Sequence, residues 1–220
     1  AVYMSYGFVP NPVFIWTTGN NGLLGSTLAL LFIAMGLGGW WLDREAWHKQ
    51  GWILRQTGRS PTDFVDQAGM GPSLLNMGLT GALGTAYVLA VGSDLNGPTL
   101  GAIFTIVGFS AYGKHPRNIV PIMLGVFLAS MLKDWSADDP SAVLAALFGT
   151  TLAPIAGRFG WRWGIVAGFV HSSVAQTVGQ LHGGLVLYNN GFAAGLVAAI
   201  LVPVIIALQP VAKPGPGAPR

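Results

Sequence analysis

The chain has 220 residues, of which only 9% are charged, and its mean hydropathy is +0.56; soluble domains carry about a quarter charged residues. So thin a charged skin excludes a water-soluble globule, and the lack of alternating strand-length segments excludes a β-barrel. Zero Cys excludes disulfides, thiol catalysis and cysteine-ligated metals, which leaves an all-α class, a polytopic helical membrane protein whose 32 Gly suit close helix approach in lipid.

Residues 1–20 carry no charge but many aromatics (Tyr3, Tyr6, Phe8, Phe14, Trp16), with Pro10 and Pro12 breaking any helix, and read as an interfacial segment. One membrane domain is expected over 21–209. Its first span is 21–42, closing on Trp40–Trp41. Residues 43–68 form the one long polar stretch, where Arg44, Lys49, Arg55 and Arg59 alternate with Asp43, Glu45, Asp63 and Asp66 among Trp47, Trp52 and Phe64. That pattern predicts a short amphipathic helix on the membrane surface, a juxtamembrane anchor rather than a nucleic-acid patch. Further spans follow at about 72–91, 97–112, 118–132, 141–156, 163–180 and 191–209. The Pro/Gly-rich tail 210–220 is expected to be disordered.

The chain is organised around residues 97–127, an apolar run interrupted by Gly113, Lys114, His115, Pro116, Arg117 and Asn118. Pro116 lacks an N–H and biases His115 away from helix, so two spans joined by a short basic turn are predicted. Residues 148–168 echo this run, with Gly157–Arg158 where the first has Gly113–Lys114. Either a diverged repeat or two hairpins under the same rules would give the echo. With seven spans and the N-terminus outside, ten basic residues (among them the inner-loop bases Lys114, Arg117, Arg158 and Arg162) fall inside, and only Lys133 falls outside. The positive-inside rule then predicts a multi-pass protein of the cell inner membrane with a cytoplasmic C-terminus. The third and fifth spans, at ~1.5 Å per residue, reach roughly 24 Å of a ~30 Å core, so either is a candidate for a broken or re-entrant helix. Asn96–Thr99 is a candidate for sinking below the outer surface.

Uncharged polar residues recur at span starts: Asn20–Asn21, Asn76, Asn96 with Thr99, and Asn189–Asn190. Broken helix starts can aim N–H groups at a solute, whereas ordinary capping is the plainer role. Capping is favoured for Asn21 and Asn96. Asn76, Thr99, Thr150, Thr151, His171, Asn189 and Asn190 are the solute-lining candidates. His171, followed by Ser172, Ser173 and Gln176, is an ionisable group at mid-span and so a candidate by default, with a neutral, hydrogen-bonded core His as the alternative. No Lys lies inside a span to hold retinal, no HExxH or GxSxG motif occurs, and no carboxylate falls at mid-membrane. No enzyme activity, catalytic residue, cofactor or metal is expected.

The runs LNGPTLGAIFTIVGFSAYGKHPRNIVPIMLGVFLAS, LFGTTLAPIAGRFGW, AGFVHSSV and LHGGLVLYNNGFAAGLVAAILVPVI closely resemble an uncharacterised bacterial integral membrane protein family, a domain of unknown function (fifteen-seventy-six). The resemblance implies that this chain is the C-terminal copy of a tandem unit. At Val186, where family members tend to have Asn, it removes one polar lining group. The family supplies no activity, and its Asn/Gly/Thr-rich spans look only loosely like urea-channel repeats. The expected function is a permease or channel for a small polar, uncharged solute. The alternative is a non-catalytic membrane scaffold that packs against a partner subunit or another copy of itself; a buried enzyme ranks behind both. The expected partners are the lipid bilayer and a homo-oligomer or partner membrane subunit, without nucleic acid.

Overall fold

The computed structural model describes residues 15–178 and 186–209, with the side chains of 186–188 left out. Most of the aromatic N-terminal segment, His182, the Val186 side chain and the tail therefore lie outside the described residues. The described chain is helical: α1 Asn21–Leu42, α2 Ala46–Ile53, α3 Phe64–Ala68, α4 Met70–Ala90, α5 Gly97–Phe109, α6 Pro116–Leu132, α7 Pro140–Gly149, α8 Ala153–Phe159, α9 Trp161–Val178 and α10 Val186–Leu208. A single 3-10 turn, Thr150–Leu152, joins α7 to α8. Among the described residues the only β-type pairing is an isolated bridge between Thr17 and Asn96.

Six apolar rods and the more polar α9 lie at the places of the expected spans. Four are long and apolar enough to cross a membrane: α1, α4, the combined rod Pro140–Phe159, and Asn189–Leu208 of α10. α5 and α6 are apolar but shorter. α9 is diluted by His171, Ser172, Ser173, Gln176 and Thr177. The fifth rod is not short as expected, since Pro140–Phe159 runs 20 residues, but a 3-10 turn interrupts it. Pro154 has no N–H to continue the α-helical ladder, so the Ala153 N–H turns back to Thr150 O in a 3-10 bond.

The shortness of α5 displaces its far end. Asn96 caps α5 reciprocally with Thr99: Thr99 N–H donates to Asn96 Oδ1 (3.1 Å) and Asn96 N–H to Thr99 Oγ1 (2.8 Å). α1 is capped by Asn20, whose Oδ1 accepts from Leu23 N–H at 2.9 Å. Asn21 does not cap. Its Oδ1 accepts from Leu95 N–H (2.9 Å), and its amide donates to Asp94 Oδ1 (3.0 Å). Gly97 N–H donates to Trp16 O. These bonds hold the starts of α1 and α5 at one level, so Asn96–Thr99 is not sunk relative to α1. At ~1.5 Å per residue α1 then spans about 33 Å and α5 only about 20 Å, which leaves the 110–115 turn well short of the basic end of the bundle.

Residues 43–68 fill that gap. Rather than resting free on a surface, α2 and α3 bury Ala46, Gln50, Ile53 and Phe64, while Trp47 and Trp52 stay exposed. Phe64 N–H donates to Ala111 O. The backbone of Gly58 lies against Gly113, both with positive φ (+73° and +113°); a Cβ on Gly58 would stand 2.5 Å from Gly113 O. Thr57 O lies 2.2 Å from where a Gly157 Cβ would be. The two echoing glycines, 113 and 157, thus both receive this one loop. Their settings differ, since Gly113 is in a left-handed turn and Gly157 is inside α8.

α6 is the central rod. Ile119 and Met123 pack with α1, α4, α5 and α7, Ile122 with α8, α9 and α10, and Val126 with α7, α9 and α10. The closest crossings are α1 on α4 and α6 on α9, both made through glycines. Small residues let backbones approach where lipid supplies no hydrophobic drive for helices to associate.

Candidate functional site

The broken rod brings a line of polar groups into the bundle. Lys114 Nζ donates to Thr150 Oγ1 at 2.8 Å, and Thr150 Oγ1 donates back to Leu147 O at 2.6 Å. Gly149, the residue before Thr150, lies against the His171 ring: a Cβ there would be 2.7 Å from His171 Cδ2. His171 Nε2 is 3.1 Å from Asn190 Oδ1. With the ring proton on Nε2 that bond is made, while the Ala145 backbone lies within reach of the same ring. Thr150, His171 and Ser172 have no exposed surface, and Asn189 and Asn190 are buried.

Several of these groups lack partners. His171 Nδ1, Ser172 Oγ, Gln176 Nε2 and Asn189 Oδ1 are buried without a well-formed hydrogen bond, although the Ala145 backbone is within reach of His171. They share one region of α9 and the start of α10. Native interiors leave few such groups, so a cluster of them calls for a physical reason.

The other sequence candidates divide sharply. Asn76 is saturated: its amide donates to Ser110 O (2.7 Å) and Lys114 O (2.8 Å), and its Oδ1 accepts from Gln50 Nε2 (2.9 Å). Thr99 spends its hydroxyl on the α5 cap and Asp94 O. Thr151 is exposed. Asn189 and Asn190 do not open α10, which begins at Val186, but stand one turn inside it. The structure thus joins Thr150, His171, Asn189 and Asn190 and leaves Asn76, Thr99 and Thr151 apart.

Asn76 clamps α2, α4 and the sunken turn together. Asn76→Ala is expected to lower stability by about 2 kcal/mol, because Gln50 Nε2 and two carbonyls lose their partner in a dry interior. Thermal unfolding in detergent measures it; an unchanged melting temperature would mean that water replaces the amide.

The inner-loop bases also divide. Arg117, Arg158 and Arg162 are exposed, with Arg158 4.9 Å from the Phe159 ring and Arg162 5.6 Å from that of Trp161. Lys114, grouped with them by sequence, is 9% exposed and buried in the turn. Its ammonium faces the Phe109 ring at 5.2 Å, and burial pushes its pKa down to about 8. Among the described residues the only ion pairs are those of Lys49 with Asp43 and Glu45, so Lys114 has no carboxylate partner. His115 is also buried, its Nε2 2.9 Å from Gln56 O; burial lowers its pKa, opposed by that hydrogen bond.

The sequence reading missed two members of this arrangement, Gln50 and Lys114. Nothing local marks Gln50, which sits in a charged stretch. For Lys114 the signal was present in the length of α5, but a short helix does not say which of its ends is sunk. Ser172 and Gln176 were visible as neighbours of His171. Their lack of partners depends on packing that no sequence pattern carries.

No curated protein and no solved structure matches the chain. A family model described as "Protein of unknown function (DUF1576)" matches residues 42–207 of the 220, a stretch that holds the broken rod and every residue of the polar line, and the chain belongs to that family.

Proposed function

We propose that this protein is a permease or channel-like membrane protein for a small, polar, uncharged solute, with its basic end on the cytoplasmic side of the inner membrane. One observation carries the reading. Buried polar atoms of Ser172, Gln176 and Asn189 stand without hydrogen-bond partners near His171 and the helix break. Leaving that many polar groups dry would cost several kcal/mol unless water or a solute fills their bonding capacity. Lys114, at the Thr150 end of the same line, opposes cations, and among the described residues no carboxylate is hydrogen-bonded to the line to offset its charge.

The test is solute flux into proteoliposomes under gradients of urea, formamide or glycerol, followed by stopped-flow light scattering. His171→Ala and Asn190→Ala are expected to lower the flux of the transported solute about tenfold, the scale of one buried hydrogen bond, with the fold retained. Unchanged flux in both would remove the residue assignment.

The scaffold reading has its own support. Asn76 and Thr99 are bonded to the protein's own backbone, and α1 and the apolar part of α10 are only 17% and 22% buried. Those faces suit lipid or a second membrane chain equally. Flux no greater than that of empty vesicles for every solute would favour it.

A further inference from the structure

A groove of about 280 Å³ runs along the exposed side of the α1–α4 pair, away from the polar line. Its floor is glycine, Gly36 on α1 and Gly78 on α4. A Cβ on Gly78 would stand 2.7 Å from Phe32 O, so the two backbones come together beneath the groove and leave no side chain to fill it. Ile33, Leu37, Trp40 and, from α2, Trp47 form its walls, and every lining residue is apolar or Gly. All four wall residues are exposed. From Phe32 to Trp40 the groove runs about 12 Å at ~1.5 Å per residue, close to the ~15 Å depth of one leaflet. Its length and lining are those of one extended acyl chain lying along the helices.

The mouth of the groove selects the lipid. Trp40 and Trp47 carry the groove to the basic end, and the Arg44 guanidinium lies 4.0 Å from the centre of the Trp40 ring. Arg44 is exposed and has no ion pair among the described residues. The flanking carboxylates are turned to another partner: Asp43 Oδ2 is 2.7 Å and Glu45 Oε2 4.0 Å from Lys49 Nζ. An uncompensated cation is thus held on an aromatic ring at the end of an apolar channel. A phosphate at the end of a hydrocarbon chain complements both. A second copy of this chain does not, because a two-fold contact through the groove, about an axis along the membrane normal, would bring Arg44 against Arg44.

We propose that the α1–α4 groove binds one anionic glycerophospholipid, with one acyl chain lying between Trp40 and Ala82 and the phosphodiester meeting Arg44. Trp40 and Trp47 then sit at headgroup level, where the indole ring is favoured. The site shares no residue with the Lys114–Asn190 line and stands whether or not that line passes a solute.

The experiment takes the full chain, delipidated in detergent, and titrates it with phosphatidylglycerol or with phosphatidylcholine of the same acyl chains. Native mass spectrometry counts the bound lipid. The first phosphatidylglycerol is expected to bind about fivefold more tightly than the first phosphatidylcholine. Arg44→Gln should remove that preference. Arg162→Gln should keep it, although Arg162 is also exposed and lies 5.6 Å from a Trp ring. Ala82→Phe places a ring in the groove from an exposed position and should weaken both lipids at least about threefold. Melting temperatures check the folding of each variant; Leu37→Trp, also at an exposed position, fills the groove from the α1 side if position 82 does not tolerate the ring. The proposal is overturned if the two lipids bind alike in the parent, if Arg162→Gln lowers the preference as much as Arg44→Gln, or if filling the groove changes neither affinity. A lipid-free dimer that Ala82→Phe dissociates would also overturn it and make the groove a contact between copies.

Discussion

Gly168→Ala is expected to lower stability by about 3 kcal/mol, and Gly125→Ala by a similar amount. A Cβ on Gly168 would stand 2.0 Å from Ile122 O, and one on Gly125 would stand 2.1 Å from Ile165 O. Both obstacles are main-chain atoms of the facing helix, so no rotamer change relieves them. The α6–α9 crossing would have to open, and with it the seat of His171 on α9. The two substitutions strain the same crossing, so their effects should not add. Gly108 provides the control. It lies in the last turn of α5, exposed, with nothing within 4 Å of an added Cβ. Gly108→Ala should raise stability by about 0.5 kcal/mol through helix propensity alone. Melting temperatures in one detergent compare all three, and equal effects at positions 108 and 168 would refute the close crossing.

Lys114 gives the second large effect. Burial lowers its folded pKa from 10.5 to about 8. Below about pH 8 both folded and unfolded chains carry the proton, and the folded state bears the full desolvation penalty. Between about pH 8 and 10.5 the unfolded chain still holds a proton that the folded chain has released. The unfolded state then binds more protons, so stability rises with pH across that window, by about 3 kcal/mol in all. Lys114→Met should abolish this rise. It should also stabilise the protein near neutral pH by about 2 kcal/mol, since the bond to Thr150 Oγ1 is lost along with the buried charge. Unfolding followed at pH 7 and pH 9.5 separates the two proteins. A parent chain whose stability is flat over that range would mean that water or an anion already solvates the ammonium.

The apolar rods were legible in the sequence because hydropathy responds to removal from water, and lipid and protein interior both supply it. The Asn96–Thr99 cap was legible because it closes within four residues; the interruption of the fifth rod was expected from a shortness that the 20-residue rod does not have, and it comes instead from Pro154. Long-range docking was not legible. The polar stretch 43–68 has the composition of a surface helix, yet Gln50, Ile53 and Phe64 are buried because α5 ends early and leaves a space beneath it. Lys114 follows from the same fact: charge composition puts it in an exposed loop, whereas its ammonium turns inward to Thr150 and the Phe109 ring. Asn20 and Asn21 are adjacent and chemically alike, and only tertiary contact decides that the first caps α1 while the second holds the loop before α5. The sequence marks His171 and Asn190 as polar groups at depth. That they meet follows from the α9–α10 packing.

The region around His171, Ser172 and Asn189 is proposed to admit small polar molecules, which can be tested without knowing the solute. The chain has no Cys, so one introduced thiol reports without background. Ser172→Cys changes one atom at a buried position, and Ser110→Cys does the same at a buried position whose hydroxyl is bonded to Ile106 O and Thr80. The measurement is the rate at which a small water-soluble methanethiosulfonate labels each thiol in proteoliposomes. The predicted result is labelling of Ser172→Cys in the folded protein with Ser110→Cys unreactive. Labelling of Ser172→Cys only after denaturation would contradict a solute-accessible site and leave the polar cluster as packing.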